Sequence, residues 1–462
     1  MRPLPVIDRV IEPVRPDEPC CDACAAAEPA QARPTRIVRP APVSVHRADD
    51  RRTTFGGLLI AASFLALALA ATILGLLGGS ATIWPALHLM LAGAAGTAVA
   101  SVLPFFTAAL ARVAPAPPGL RSGAIVLVSG GALAVTVGWS AGFPPMAVAG
   151  GCAYLGGLTL TAAAAFLPLR AALGRPPRLV VVAYAAALVQ VGVGVTLATS
   201  MVGGWDPVVA AWGALKPAHA WLNLFGFLSV VVAATLLHLG PTVAGGRIRT
   251  RASGTVALVG LALGAPLIAL GSAGGWDAIA RIGAAVELVG AGALAAHAIA
   301  VRRDRGRWTT DAGWHAFTSL SLLAAPAWFF VATAIAAGRV LWLGASPVAW
   351  SVAVMAVPFV LGWTAQVLIG SWTHIVPAIG PGDQAAHAAQ RRRLGWGGTV
   401  RVTVWNISVA LLTLGVPAGT TPLIAAGAVG VTACLVIALV LLAGSIPRAA
   451  FRWRISPALP TP

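Results

Sequence analysis

From Phe55 onward, apolar runs of about twenty residues, long enough to cross a bilayer as helices, alternate with short breaks. Twelve such runs are marked at about 55–78, 82–111, 122–141, 145–170, 178–203, 210–240, 253–272, 278–301, 313–337, 345–377, 400–416 and 420–445. In hydrocarbon each backbone N–H and C=O must find a partner inside the chain, and continuous apolar runs of this length do so as helices. The fold class is therefore all-α, a polytopic membrane protein with about 12 transmembrane helices in the lipid bilayer. Composition agrees: 58% of residues are hydrophobic and 10% charged, where a soluble domain carries roughly 25% charged residues. The mean hydropathy is +0.85.

The formal net charge of +17 would suggest nucleic acid in a soluble protein. Here the arginines gather in the loops of one side, so no nucleic-acid partner is expected. Loops after even-numbered helices carry Arg112 and Arg121, then Arg170, Arg175 and Arg178, then Arg247, Arg249 and Arg251. The next two carry Arg302, Arg303, Arg305 and Arg307, and Arg391, Arg392 and Arg393. Loops after odd-numbered helices read GGS, GFPP, GGWDP, GGWDA, GRVLWLGA and PAGTT, with Arg339 their one arginine. The positive-inside rule places the arginine loops and both termini in the cytoplasm. Trp205 and Trp276 of the twin GGWD loops fall where interfacial anchors are expected.

The domain reading is a disordered cytoplasmic tail over 1–52, a twelve-helix domain over 53–446 and a basic cytoplasmic tail over 447–462. The first tail is rich in Pro, Arg, Ala and acids, without apolar periodicity, which is the composition of a disordered segment. It holds Cys20, Cys21 and Cys24 as PCCDAC. Thiolates of that kind are soft enough to deliver or sense copper. Cys152 and Cys434 lie in apolar runs and read as packing residues.

Three even-numbered helices look related. The second, sixth and tenth are long and reach the arginine-rich side with a proline step, at Pro104, Pro241 and Pro377. Three residues before each proline sit Ser101, His238 and His374. Three repeats of four helices are the economical reading.

Polar residues inside a membrane are costly and mark sites by default. His219 and His238 belong to one helix but stand 19 positions apart, roughly 28 Å at the helical rise, which is nearly the hydrocarbon thickness. They lie at two levels. At the outer level, His219, Asn223 and Gly226 share a helix face, and His88 shares one with Ala92, Ala95 and Gly96. Neutral imidazole is the commonest metal ligand, and small residues beside it suit a flat ring such as a porphyrin. The same pattern equally describes helix–helix packing with a histidine bonded to a neighbouring carbonyl. At the inner level, His238 and His374 read as structural, with His297 and His315 near the same face. Glu287 is the only carboxylate near mid-membrane. It reads as a proton relay candidate, or as a neutral acid bonded to a neighbouring helix. Gln190, Gln366 and Asn406 are expected to join it in one polar seam. Lys216, the only lysine, sits where it can snorkel to the outer interface.

The segments LHLMLAGAAGTAV with FTAALAR, HAWLNLFGF with HLGPT, and LGWTAQVLIGSWTHIVPAIGPG resemble subunit I of the heme-copper oxidases and the NnrS family. They are also similar to an actinobacterial membrane module found fused to copper nitrite reductase-type cupredoxin domains. The resemblance spans about 55–445. It implies a bacterial cytoplasmic (inner) membrane protein with heme b or copper as cofactor, and a cupredoxin-type copper protein or other electron donor as partner. It implies His88 as the second-helix ligand, His219 as the sixth-helix ligand and His374 as the tenth-helix candidate. The sequence also departs from the oxidases. They place adjacent histidines on helix seven, and 253–272 has none; they place two close histidines on helix ten, where only His374 stands. Trp221 and Phe105–Phe106 occupy places where the related modules would have histidine. Oxygen reduction by the oxidase route is not expected.

Two functions fit the sequence. One is a membrane protein holding heme or copper between His88 and His219 near the outer face, for redox, copper or nitrogen-oxide handling. The other is a transporter or accessory membrane subunit without catalysis, its histidines structural. The first expects the two imidazoles to face each other; the second expects them on backbone carbonyls or pointing apart.

Overall fold

The computed structural model describes residues 45–78, 82–172, 176–305, 313–380 and 382–445. Cys20, Cys21, Cys24 and the segment 447–462 fall outside them. Twelve helices are long and apolar enough to cross a membrane. They are numbered α1 Asp50–Leu77, α2 Trp84–Ala111, α3 Pro118–Ser140, α4 Pro144–Ala171, α5 Arg178–Val202, α6 Trp212–Ala244, α7 Ala252–Gly274, α8 Asp277–Arg303, α9 Gly313–Leu343, α10 Pro347–Ile379, α11 Gln384–Ala418 and α12 Thr421–Ala443. Among the described residues there is no strand. The first helix itself begins at Val45, upstream of the boundary that hydropathy suggests at residue 53. The start of α11 is a separate polar helix, Gln384–Leu394, and only Gly398–Ala418 is apolar.

Local chemistry explains the boundaries. α3, α4 and α12 start with proline in their first turn, where the missing N–H would be unpaired in any case. α6, α7 and α11 end on a left-handed glycine, at Gly245, Gly275 and Gly419. α2 ends on Arg112, the only non-glycine described with positive φ. Pro104, Pro241 and Pro377 each lie inside a helix, with further helical residues after them.

The four-helix period recurs in the structure in two forms. First, α2, α6 and α10 each carry a π-helical segment, Leu89–Ala95, Trp221–Ser229 and Val357–Ala365, flanked by α-helix on both sides. Among the described residues these are the only π segments. The widened turn leaves carbonyls to be satisfied, and in α6 the Ser229 hydroxyl donates to the Leu224 carbonyl at 2.9 Å. Second, α3 packs along α4, α7 along α8, and α11 along α12. Each quartet therefore has a π-bearing second helix and a tight hairpin of its third and fourth.

Glycine closes these hairpins. A Cβ added at Gly157 of α4 would come within 2.6 Å of the Val128 nitrogen on α3, and one at Gly260 of α7 within 2.7 Å of Gly290 Cα on α8. A Cβ at Gly427 of α12 would lie 2.8 Å from the Ser408 carbonyl of α11. In a bilayer helices gain little from apolar association, because lipid tails are as apolar as leucine; close backbone approach through small residues supplies van der Waals contact instead.

The core between α6, α9 and α10 is aromatic. Trp221 and Phe225 of α6, Phe329 of α9, and Phe359 and Trp363 of α10 are all fully buried. Phe225 lies 5.0 Å from Phe359, and Phe329 4.9 Å from Trp363, between ring centroids. Trp221 packs on Phe225 at 4.2 Å and on Trp350 at 5.9 Å.

Two arginines of the basic side are structural. Arg121, buried on α3, pairs with the Asp50 carboxylate and donates to Thr54 on α1. Arg401, buried on α11, donates to the Leu394 and Trp396 carbonyls and lies 4.0 Å above the Phe317 ring of α9. Removing one member of a buried pair strands the other charge. Arg121→Ala should therefore lower the stability of the detergent-purified protein by about 3–5 kcal/mol, read as a drop in its thermal or denaturant unfolding midpoint. Arg112→Ala should change that midpoint far less.

Candidate functional site

The two outer histidines are built alike. His88 ends the α-helical first part of α2, one residue before the π segment. His219 sits two residues before the π segment of α6. Each has a tryptophan of its own helix beside it: Trp84 stacks on His88 at 3.9 Å between centroids, and Trp212 lies 6.1 Å from His219. Asn223 lies one turn from His219 on α6.

Their hydrogen bonds set the tautomers. His88 Nδ1 lies 3.0 Å from the Trp84 carbonyl, and His219 Nδ1 lies 2.8 Å from the Gly194 carbonyl of α5. A carbonyl only accepts, so in both rings Nδ1 carries the proton and Nε2 presents a bare lone pair. Neither Nε2 has a hydrogen-bond partner among the described residues. Asn223 stands 3.1 Å from His219 Nδ1 and donates from Nδ2 to the His219 carbonyl at 2.6 Å. Its amide thereby buttresses the helix turn that carries the ring and offers the ring no second acceptor.

The small residues next to these histidines are filled from other helices. A Cβ at Gly93 would meet Phe64 of α1 at 2.3 Å, and one at Gly96 would meet the Tyr154 hydroxyl of α4 at 2.2 Å. That hydroxyl donates to the Ala92 carbonyl at 3.4 Å. On α6, a Cβ at Gly226 would meet the Gln190 side chain at 1.9 Å, and on α5 one at Gly194 would meet Asn223 at 2.5 Å. The stripe beside each imidazole is a packing surface. A porphyrin lying along it would have to displace Phe64, Tyr154 or Gln190, so the residues present do not fit a heme there. A metal ion held by imidazole nitrogen would make no such demand.

His374 belongs elsewhere. The π segments of α6 and α10 run in one register: Trp221 matches Val357, Gly226 matches Gly362, His238 matches His374 and Pro241 matches Pro377, all at one constant offset. In that register His219 matches Met355, so the third repeat supplies no imidazole at the outer level. The structure sets His374 at the basic end of α10, 6.4 Å from the His315 ring of α9 and within reach of the Arg391 charge. It is the repeat partner of His238 and contributes nothing to the His88–His219 pair. Among the described residues, no group of three His, Cys, Asp or Glu side chains gathers anywhere.

The polar seam expected around Glu287 is split. Gln366 donates to Asn406 at 3.4 Å, and Trp328 Nε1 donates to the same oxygen at 2.7 Å, joining α9, α10 and α11. Gln190 of α5 donates to the Ala262 carbonyl of α7 at 3.3 Å. Glu287 on α8 is wholly enclosed against Gly264 of α7, with neither carboxyl oxygen hydrogen-bonded. Among the described residues no hydrogen bond joins it to either amide group. The sequence missed the aromatic cover of the two histidines and the carbonyl of Gly194. The tryptophans at Trp84 and Trp212 were visible as helix-phase neighbours, but no sequence signal marks a carbonyl on another helix.

No protein-family model matches the chain and no curated protein matches it. An ionised carboxylate in such a place is costly, so Glu287→Gln, which keeps the shape without a charge, should leave the unfolding temperature nearly unchanged. Gly264→Ala, whose Cβ would come 2.6 Å from Glu287 Oε2, should lower stability by about 1–3 kcal/mol through overpacking. Parallel melts of the two variants read both outcomes.

Proposed function

We propose that this multi-pass membrane protein lies in the bacterial cytoplasmic membrane, with its arginine loops inside, and binds copper near the outer face through His88 and His219. The observation that carries this reading is the shared tautomer. Each ring gives its Nδ1 proton to a backbone carbonyl and keeps Nε2 bare. Metal-ligating histidines almost always donate their other N–H in this way, which fixes the ring and raises its basicity. Two neutral imidazoles suit Cu(I), which accepts few ligands, and imidazole is a good copper donor. Copper is preferred to heme because the faces beside both rings are filled by Phe64, Tyr154 and Gln190. The site would serve copper or nitrogen-oxide handling. An external cupredoxin-type copper protein or other electron donor fits this role, and Cys20, Cys21 and Cys24 are soft ligands on the same chain.

A second reading has its own support. The same Nδ1 bonds tie each histidine to a carbonyl, and the small residues around them close helix contacts. That is how a transporter or accessory membrane subunit would use structural histidines. Metal content separates the two. Protein expressed with copper and heme supplied, and purified in mild detergent, should carry copper near one per chain and show no Soret band. The His88→Ala/His219→Ala double variant should lose that copper while still eluting as folded protein. Wild-type protein that stays metal-free under these conditions would leave the second reading standing.

A further inference from the structure

At the arginine-rich end, α6, α8 and α9 border a narrow open cleft. Most of its wall is apolar, including Leu236 of α6, Leu294 of α8 and Leu322 of α9. One end is polar and basic. His297 lines it and is only 5% exposed. Its Nδ1 faces the Ser253 hydroxyl at 3.2 Å, while its Nε2 is buried with no hydrogen-bond partner. Arg302 lines the same end and donates to the Ser319 hydroxyl at 3.1 Å; Arg305 reaches that hydroxyl at 3.2 Å.

Nothing about packing alone requires this combination. A buried ring nitrogen without a partner is costly. A cationic, hydrogen-bond-donating end joined to an apolar wall is complementary to an anionic amphiphile. The level is that of the headgroups on the basic side, where α8 passes from Leu294 to Arg302 within about two turns. Basic pockets between transmembrane helices at this level suit phosphate-bearing lipid heads.

We infer that this cleft is a binding site for an anionic phospholipid of the leaflet on the arginine-rich side. The phosphodiester sits at Arg302 and His297, and one acyl chain runs along Leu236, Leu294 and Leu322. Ser253 accounts for the donor at the ring: when its hydroxyl donates to Nδ1, the proton of His297 is on Nε2, which then points a donor at the phosphate. The site is separate from the His88–His219 pair and holds whether or not that pair binds copper.

Native mass spectrometry of the full chain, released from detergent with phosphatidylglycerol or phosphatidylcholine added, tests the inference. Wild-type protein should retain phosphatidylglycerol over phosphatidylcholine by about tenfold, as expected for hydrogen bonds to a charged group. Arg302→Gln should remove the preference. Ala298→Leu, which narrows the cleft without touching its basic end, should reduce retention of phosphatidylglycerol, and it reads the same site should Arg302→Gln not yield monodisperse protein. Equal retention of the two lipids by wild-type protein would overturn the site. So would a preference that survives both variants. Inorganic phosphate that raises the melting temperature as much as phosphatidylglycerol does would identify a free-anion site and overturn the lipid.

Discussion

The architecture depends on the need to satisfy the backbone inside hydrocarbon. Helices solve that problem one at a time, which leaves the contacts between helices to be built from something other than hydrophobic burial. In this protein they are built from glycine. The α3–α4, α7–α8 and α11–α12 hairpins bring backbones so close that a single Cβ at Gly157, Gly260 or Gly427 would collide with the neighbouring main chain or the side chain on it. Three such hairpins, one in each quartet, hold the fourfold spacing of the chain. The remaining second helices, α2 and α6 above all, are the more enclosed ones.

Those second helices are also where the chain departs from regular α-helix. A π segment shifts the carbonyl ladder by a residue and tends to sit at functional positions. Here each one begins just after the outer-level residue of its repeat: His88 in α2, His219 in α6 and Met355 in α10. The repeat has kept its geometry while its side chains diverged. Two repeats present an imidazole at that level and the third presents a thioether. At the inner level, the second and third repeats keep His238 and His374, the latter turned toward His315 and Arg391.

The same divergence explains how arginine is used. Much of the basic charge lies in loops, as the sidedness of membrane insertion requires. Arg121 and Arg401 instead enter the protein near the start of α3 and in α11, where they fasten the third helix of a quartet to Asp50 and Thr54 or to open carbonyls. Arg302 and Arg305 converge on Ser319 beside an apolar cleft. Charge that orients the chain in the membrane is thus reused for packing and for meeting lipid heads.

The sequence by itself determined the number of helices and most of their ends, although α1 starts at Val45, α9 runs on to Leu343 and a polar helix from Gln384 precedes the apolar part of α11. Apolar length and the proline and glycine at helix ends are local properties, readable one segment at a time. It also singled out His88, His219 and Asn223, because a polar residue in an apolar run is conspicuous wherever the run ends up. Only the tertiary structure decided what those residues touch. The proton on His219 Nδ1 is set by a carbonyl on α5 that is 25 positions away in sequence. Gly96 and Gly226, which looked like room for a porphyrin, are filled by Tyr154 and Gln190, which come from other helices. Glu287 and the amides around it were expected in one seam, and packing parts them, because the face each residue presents depends on how α7, α8 and α10 are rotated against their neighbours. Helix rotation is a relation between segments, and no single segment encodes it.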